Sequence, residues 1–145
     1  MRVKGLIRFG AMILLLLAVA GCEEKARQSQ EPEQVLSSLE ARAAERWDAL
    51  IRGDFNAAYL YASPAYRALY TPQQFSSRFG RQVLWERVDV GPIEPLSEDA
   101  ARVGITIHFS YHQVESGQTL EASTFVRESW ILADGDWWYV PGDRG

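Results

Sequence analysis

Apolar side chains recur at Val35, Leu39, Ala43, Trp47 and Leu50, with Leu36 and Ile51 beside them. That spacing predicts an amphipathic helix of about four turns. Gly53 stops it, and Asp54 stands as the cap of a shorter helix carrying Phe55, Ala58 and Tyr59. Ser63-Pro64 supplies a cap and an N1 proline for a third helix. Thr71-Pro72-Gln73-Gln74 opens a fourth with a capping-box threonine, proline at N1 and glutamine at N3, and Gly80 closes it.

After Gly80 the period changes from helical to two. Gln82 to Val90 is rich in β-formers, Gly91-Pro92 interrupts it, and Ile93 to Leu96 continues it as a bulged edge. Arg102 to Val114 alternates most clearly. Val103, Ile105, Ile107, Phe109 and Tyr111 fall on one face; Gly104, Thr106, His108, Ser110 and His112 fall on the other. Glu115-Ser116-Gly117-Gln118 turns the chain, Leu120 to Leu132 returns it, and Ala133-Asp134-Gly135-Asp136 turns it into the last strand, Trp137 to Val140. Helices first and a meander second predict an α+β domain, with N-terminal helices packed on a curved antiparallel sheet of about four strands. This domain is expected over residues 34–145.

Residues 1–33 have a different pattern. Arg2, Lys4 and Arg8 precede an apolar run from Gly10 to Gly21 that ends in Val19-Ala20-Gly21-Cys22, the order of regions in a secretory signal. The run holds about a dozen apolar residues, short of the roughly 20 a membrane-spanning helix needs. These residues resemble a bacterial lipoprotein signal, with Val19-Ala20-Gly21-Cys22 as the lipobox. The resemblance implies a signal peptide at 1–21, cleavage between Gly21 and Cys22, and lipidation of the Cys22 thiol by a diacylglyceryl group. Further acylation, such as by palmitate, would follow on the new amino group. It places the protein at the bacterial cell envelope, held to the membrane through the lipid. Glu23, where an aspartate would signal inner-membrane retention, favours the outer membrane facing the periplasm. Residues 22–33 then form the lipidated cysteine and a polar, flexible tether with a reach on the order of 15 to 20 Å. Cys22 is the only cysteine, so no internal disulfide is available and lipidation would remove an otherwise exposed thiol.

Charge narrows the partners. Of 15 Lys and Arg, three lie in the leader, leaving twelve against 19 Asp and Glu, a formal charge of −7 for the mature chain. Nucleic acid and anionic lipid surfaces are therefore poor partners for the domain. No Cys-x-x-Cys pair, helical His-x-x-x-His or calcium-loop pattern occurs, and His108 and His112 lie about 13 Å apart if both sit on one strand, so neither a metal nor a cofactor is expected.

Trp47-Asp48-Ala49-Leu50 with Gly53-Asp54-Phe55 and Ala58-Tyr59, the Ser63-Pro64 step, and Trp130 followed by Gly135-Asp136-Trp137 resemble the nuclear-transport-factor-2-like superfamily. That is the cone-shaped α+β fold shared with ketosteroid isomerase, and the likeness extends in particular to its bacterial lipoprotein members. It covers about Ala41 to Pro141 and rests on packing residues. The superfamily hosts isomerases, dehydratases, transport adaptors and domains of no known activity, so the fold implies no single function.

Aromatic side chains and a strand carboxylate are the candidate pocket: Trp47, Tyr59, Tyr66, Tyr111, Glu128 and Trp130. Glu128 falls between Val126 and Trp130 on the more apolar face of its strand, where it calls for a raised pKa or an arginine partner such as Arg67 or Arg78. No residue sits in a motif specific enough to be assigned a catalytic role. Three functions remain. One is a non-catalytic binding domain for a small apolar ligand or an envelope protein. Another is a lyase or isomerase using Glu128 or Asp89 with a tyrosine. The last is an assembly adaptor, with homodimerisation through a sheet face carrying Trp138 as one route.

Overall fold

The computed structural model describes residues 20–80 and 83–142, with side chains from residue 33 onward. The signal segment up to residue 19 lies outside the described residues, as does the side chain of Cys22. The chain divides into two compact units, Met1–Gln34 and Val35–Gly145. Helix α1 spans Ala20–Ile51, so the backbone over 22–33, expected to be an irregular tether, is helical. Its Glu, Lys, Ala, Arg and Gln are good helix formers, and helix propensity needs no apolar period to act.

Within the second unit α1 is followed by α2 (Phe55–Tyr59), α3 (Pro64–Leu69) and α4 (Pro72–Ser76), then by strands β1 (Val83–Pro95), β2 (Ala100–Gln113), β3 (Gln118–Ala133) and β4 (Asp136–Val140). The predicted caps are present. Asp54 Oδ1 accepts from Ala57 N at 3.0 Å, and Ser63 Oγ accepts from Tyr66 N at 3.3 Å. Thr71 and Gln74 form the reciprocal capping box, each side chain accepting from the other's backbone N–H.

The four strands run antiparallel in the order β1-β2-β3-β4. Register shifts in β1 between Trp85 and Arg87 and between Val90 and Ile93 are bulges, which bend the strand and curl the sheet around the helices. Gly91 and Gly104 face each other across the second bulge. A Cβ on Gly91 would lie 3.2 Å from the Gly104 carbonyl oxygen, and a Cβ on Gly104 would lie 2.9 Å from the Phe125 ring. Two backbones and an aromatic ring therefore meet so closely that an added methyl group would have to displace a neighbour.

The concave face carries the core. Leu39, Ala43, Trp47 and Leu50 of α1 pack with Ala58, Tyr59 and Phe75 onto Val103, Ile105, Ile107, Trp130 and Trp137. Phe55 stacks on Phe79 at 5.3 Å, Phe79 meets Trp85 edge-on at 5.5 Å, and Trp85 meets Trp47 at 5.5 Å. This aromatic chain accounts for much of the aromatic density of the sequence as packing. The β4 edge is not left open. Tyr139 N donates to Tyr61 O and Ser63 N donates to Tyr139 O, both at 2.8 Å, so the α2–α3 link pairs with it as a short parallel bridge at Ala62.

Candidate functional site

Glu128 lies on the concave face of β3 opposite Val103. Arg46 comes up from α1 to meet it, Nη1 donating to Oε1 at 2.7 Å, and Trp47 Nε1 donates to the same oxygen at 2.9 Å. Arg46 is 2 % exposed and Glu128 6 % exposed, so the pair is buried. The Arg46 guanidinium also lies 3.6 Å from the centroid of the Tyr139 ring, a desolvated cation–π contact. Burial raises the pKa of the Tyr139 phenol; the Arg46 charge opposes this and Glu128 reinforces it.

The core thus contains a carboxylate and a phenol, as ketosteroid-isomerase-type chemistry requires, but the carboxylate is neutralised by a guanidinium and enclosed by tryptophans. Arg46, Trp130, Phe75, Leu39, Leu50, Ile105 and Val103 are all fully buried, leaving the cone filled where a substrate would sit. Among the described residues four buried side-chain polar atoms have no hydrogen-bond partner: Arg46 Nε, Glu128 Oε2 and Trp130 Nε1 in the core, and Arg67 Nε on α3.

Of the candidate pocket residues, Trp47 and Glu128 touch, and Trp130 lies two residues along the same face of β3. Tyr59 stands apart against Phe75, its hydroxyl donating to Tyr70 O at 2.7 Å. Tyr66 lies at the surface cleft described below. Tyr111 is at the far end of the sheet and 38 % exposed. Asp89 pairs with Thr106 on the opposite, convex face from Glu128, so the two carboxylates do not converge. Asp89 instead accepts from Arg87 at 2.7 Å and from His108 Nε2 at 2.7 Å. Those hydrogen bonds, the one from His108 first, hold its carboxyl below the ordinary carboxylate pKa. His112 is exposed beyond this cluster, and no group of metal-binding side chains occurs among the described residues.

The arginine partner of Glu128 is Arg46, not Arg67 or Arg78. Arg67 lies over the Trp138 ring at 5.0 Å, together with Arg42 at the same distance, so the convex sheet face does not present a bare Trp138. The signal for Arg46 was in the helix. It falls seven residues after Leu39 and three after Ala43, inside the apolar stripe of α1.

Two clefts open at the surface. One, of about 330 Å³, is lined by Tyr66, Tyr70, Gln74, Ser77, Arg78, Pro141 and Gly142. The other, of about 260 Å³, lies between α1 at Ser38 to Glu45 and the Gly135–Trp137 turn. A third surface feature is the end of the concave face that the helices do not reach. Val83, Tyr111 and Leu120 share its cross-strand row; Trp85 and Phe109 in the next row are half-buried and pack against the core. Val83 is 40 % exposed, and the row forms an apolar apron.

No protein-family model matches this chain, and no curated protein matches it. Solved structures do. A ketosteroid isomerase-like protein from Erwinia carotovora atroseptica superposes with a TM-score of 0.57 over 72 % of this chain and 90 % of that one, at 15 % identity. A SEC-C motif containing protein from Rhodopseudomonas palustris superposes with a TM-score of 0.53 over 68 % of this chain and 71 % of that one, at 17 % identity. At such identities the likeness is one of fold. Helices followed by a four-stranded antiparallel open sheet make this the nuclear-transport-factor-2-like, ketosteroid-isomerase-like α+β cone.

Proposed function

We propose that this chain is a lipid-anchored envelope protein whose cone is a non-catalytic module for binding a protein partner. The observation that carries the reading is the occupied interior. Glu128, the one concave-face carboxylate placed for acid–base work, is held by Arg46 and Trp47 under a closed aromatic core. A lyase or isomerase needs an open, dry pocket with a carboxylate and a phenol converging on a substrate. A small apolar ligand would need the same volume.

The apron of Val83, Tyr111 and Leu120, rimmed by the half-buried Trp85 and Phe109, is the surface this reading assigns to the partner. It is a contiguous apolar patch on an otherwise acidic domain, the kind of surface that marks protein association. An anchor at Cys22, cut after Gly21, would keep the domain at the membrane, on the periplasm-facing side of the outer membrane that Glu23 favours. Attachment there suits a module whose partner is also confined to the envelope.

The test is a photo-crosslinking amino acid placed at Tyr111, on the apron, and in a parallel strain at Glu121, on the convex face of the same hairpin. A discrete adduct from position 111 alone is expected. An adduct at twice the chain's mass identifies a homodimer, and any other single mass a second envelope protein. Equal labelling at both positions, or none at Tyr111, removes the proposal.

A further inference from the structure

The cleft between α3, α4 and the segment after β4 has a chemistry separate from the core and from the apron. Its lining is built by local sequence rules. The capping box commits the carbonyl oxygen of Gln74 to Thr71 N at 2.8 Å, which turns the amide NH₂ away from the helix backbone with two donors unassigned. Ser77 Oγ gives its proton to Gln74 O at 2.8 Å. Arg78, on the turn after α4, donates Nη2 to Gly142 O at 2.6 Å and Nη1 to Tyr66 Oη at 3.4 Å. Of its five N–H donors three remain, and no carboxylate pairs with it among the described residues. Because Tyr66 Oη accepts from Arg78, the phenol's own proton is available outward.

The cleft therefore presents donors from a guanidinium, an amide and a phenol, with few acceptors among the described residues to oppose them. Beside these donors Tyr66 and Tyr70 are stacked, ring centroids 4.6 Å apart, and Tyr70 is 43 % exposed. We propose that this cleft binds a small organic carboxylate, its oxygens on Arg78 and Gln74 and its body against the Tyr66–Tyr70 stack. A guanidinium takes a carboxylate through two parallel hydrogen bonds. A single arginine in an acidic chain matches a monoanion better than a phosphate dianion. The volume, about 330 Å³, lies at the small end of ligand pockets. This inference is independent of the apron and stands or falls by itself.

Benzoate, a ring with a carboxylate, is the probe, and benzamide its neutral isostere. Both are titrated into the full chain in neutral detergent micelles while the NMR signals of the Gln74 side-chain amide and Arg78 Nε–H are followed. Benzoate is expected to shift both signals saturably, and benzamide to bind at least about tenfold more weakly. Arg78→Gln should lose benzoate binding by a similar factor. Gln74→Glu is the second variant: it keeps the oxygen that caps α4 but sets a negative charge in the cleft, so it should abolish binding while α4 stays folded. No saturable shift up to about 10 mM benzoate, equal binding of benzamide, or unchanged affinity in Gln74→Glu overturns the proposal.

Discussion

At the scale of single residues, the buried Arg46–Glu128 pair decides most. Two desolvated charges contribute little net stability when paired, but removing one strands the other in the core at a cost of about 3–5 kcal/mol. Glu128→Ala should therefore lower the urea midpoint severely. Replacing both partners by apolar groups of similar size, Arg46→Met with Glu128→Leu, should cost less than Glu128→Ala alone. If the double variant is no better, the carboxylate has a role beyond neutralising Arg46. Asp89 behaves oppositely, since it lies on the surface. Its folded pKa is depressed by His108 and Arg87, so its contribution is complete above the unfolded value of about 3.9 and disappears as pH falls through the folded one. The difference in melting temperature between the native chain and Asp89→Asn should thus be present at pH 6 and vanish in acid. A difference that persists at pH 2 would mean that Asp89 acts through packing. That Glu128 calls for a raised pKa or an arginine partner was legible in the alternation of β3, but which of these, and which arginine, was not. Finding the arginine requires knowing which helix face lies over the sheet, and the stripe position of Arg46 carries that signal.

At the scale of elements, what is local was legible and what is cross-strand was not. The caps at Asp54, Ser63 and Thr71 each involve partners three residues away, so sequence spacing alone defines them. Thr71→Ala should cost about 1 kcal/mol of unfolding free energy. Thr71→Ser should retain most of it, which thermal denaturation of the two variants would check. Gly104 is the contrary case. Its neighbour Phe125 is 21 residues away and reaches it only through the β2–β3 register, in which Phe125 stands opposite Thr106. Gly104→Ala drives a methyl into the tip of that ring. The ring is 47 % exposed and can swing outward, so the loss should be modest, about 1 kcal/mol, at the low end for an added methyl group. It should shrink when Phe125→Ala is made as well. An undiminished loss in the double variant would place the strain at Pro92 Cδ, 3.3 Å from the added methyl group, instead. The helical backbone of 22–33 is the other element the apolar period did not reveal, because nothing in a polar stretch marks a face.

At the scale of the whole molecule, the cone explains how a small chain can be closed inside and still have something to offer outside. The helices cover the Ala101–Ile107 part of β2, where Val103 and Ile105 are fully buried; Phe109 is half-buried, and the strand is exposed from Tyr111 onward. A sheet longer than its helical layer gives a solid core and an apolar apron in one element. The order of elements made this fold readable before the structure, whereas the length of uncovered sheet depends on where α1 crosses it. The remaining question at this scale is attachment. No described helix is long and apolar enough to cross a membrane, and the acidic surface gives the domain no electrostatic reason to approach anionic lipid. If the chain is anchored as proposed, membrane association should depend on acyl groups at Cys22. Each buried methylene contributes about 0.8 kcal/mol, and one chain binds only marginally while two or more hold. Cys22→Ala should move the protein from the membrane pellet to the soluble fraction and abolish incorporation of labelled palmitate, while leaving the melting temperature of the cone unchanged. High salt should release none of the native chain, because an acyl attachment is hydrophobic. Release by salt, or a Cys22→Ala chain that still sediments with membranes, would instead assign the attachment to a protein partner, and the apron residues would be the first place to look for it.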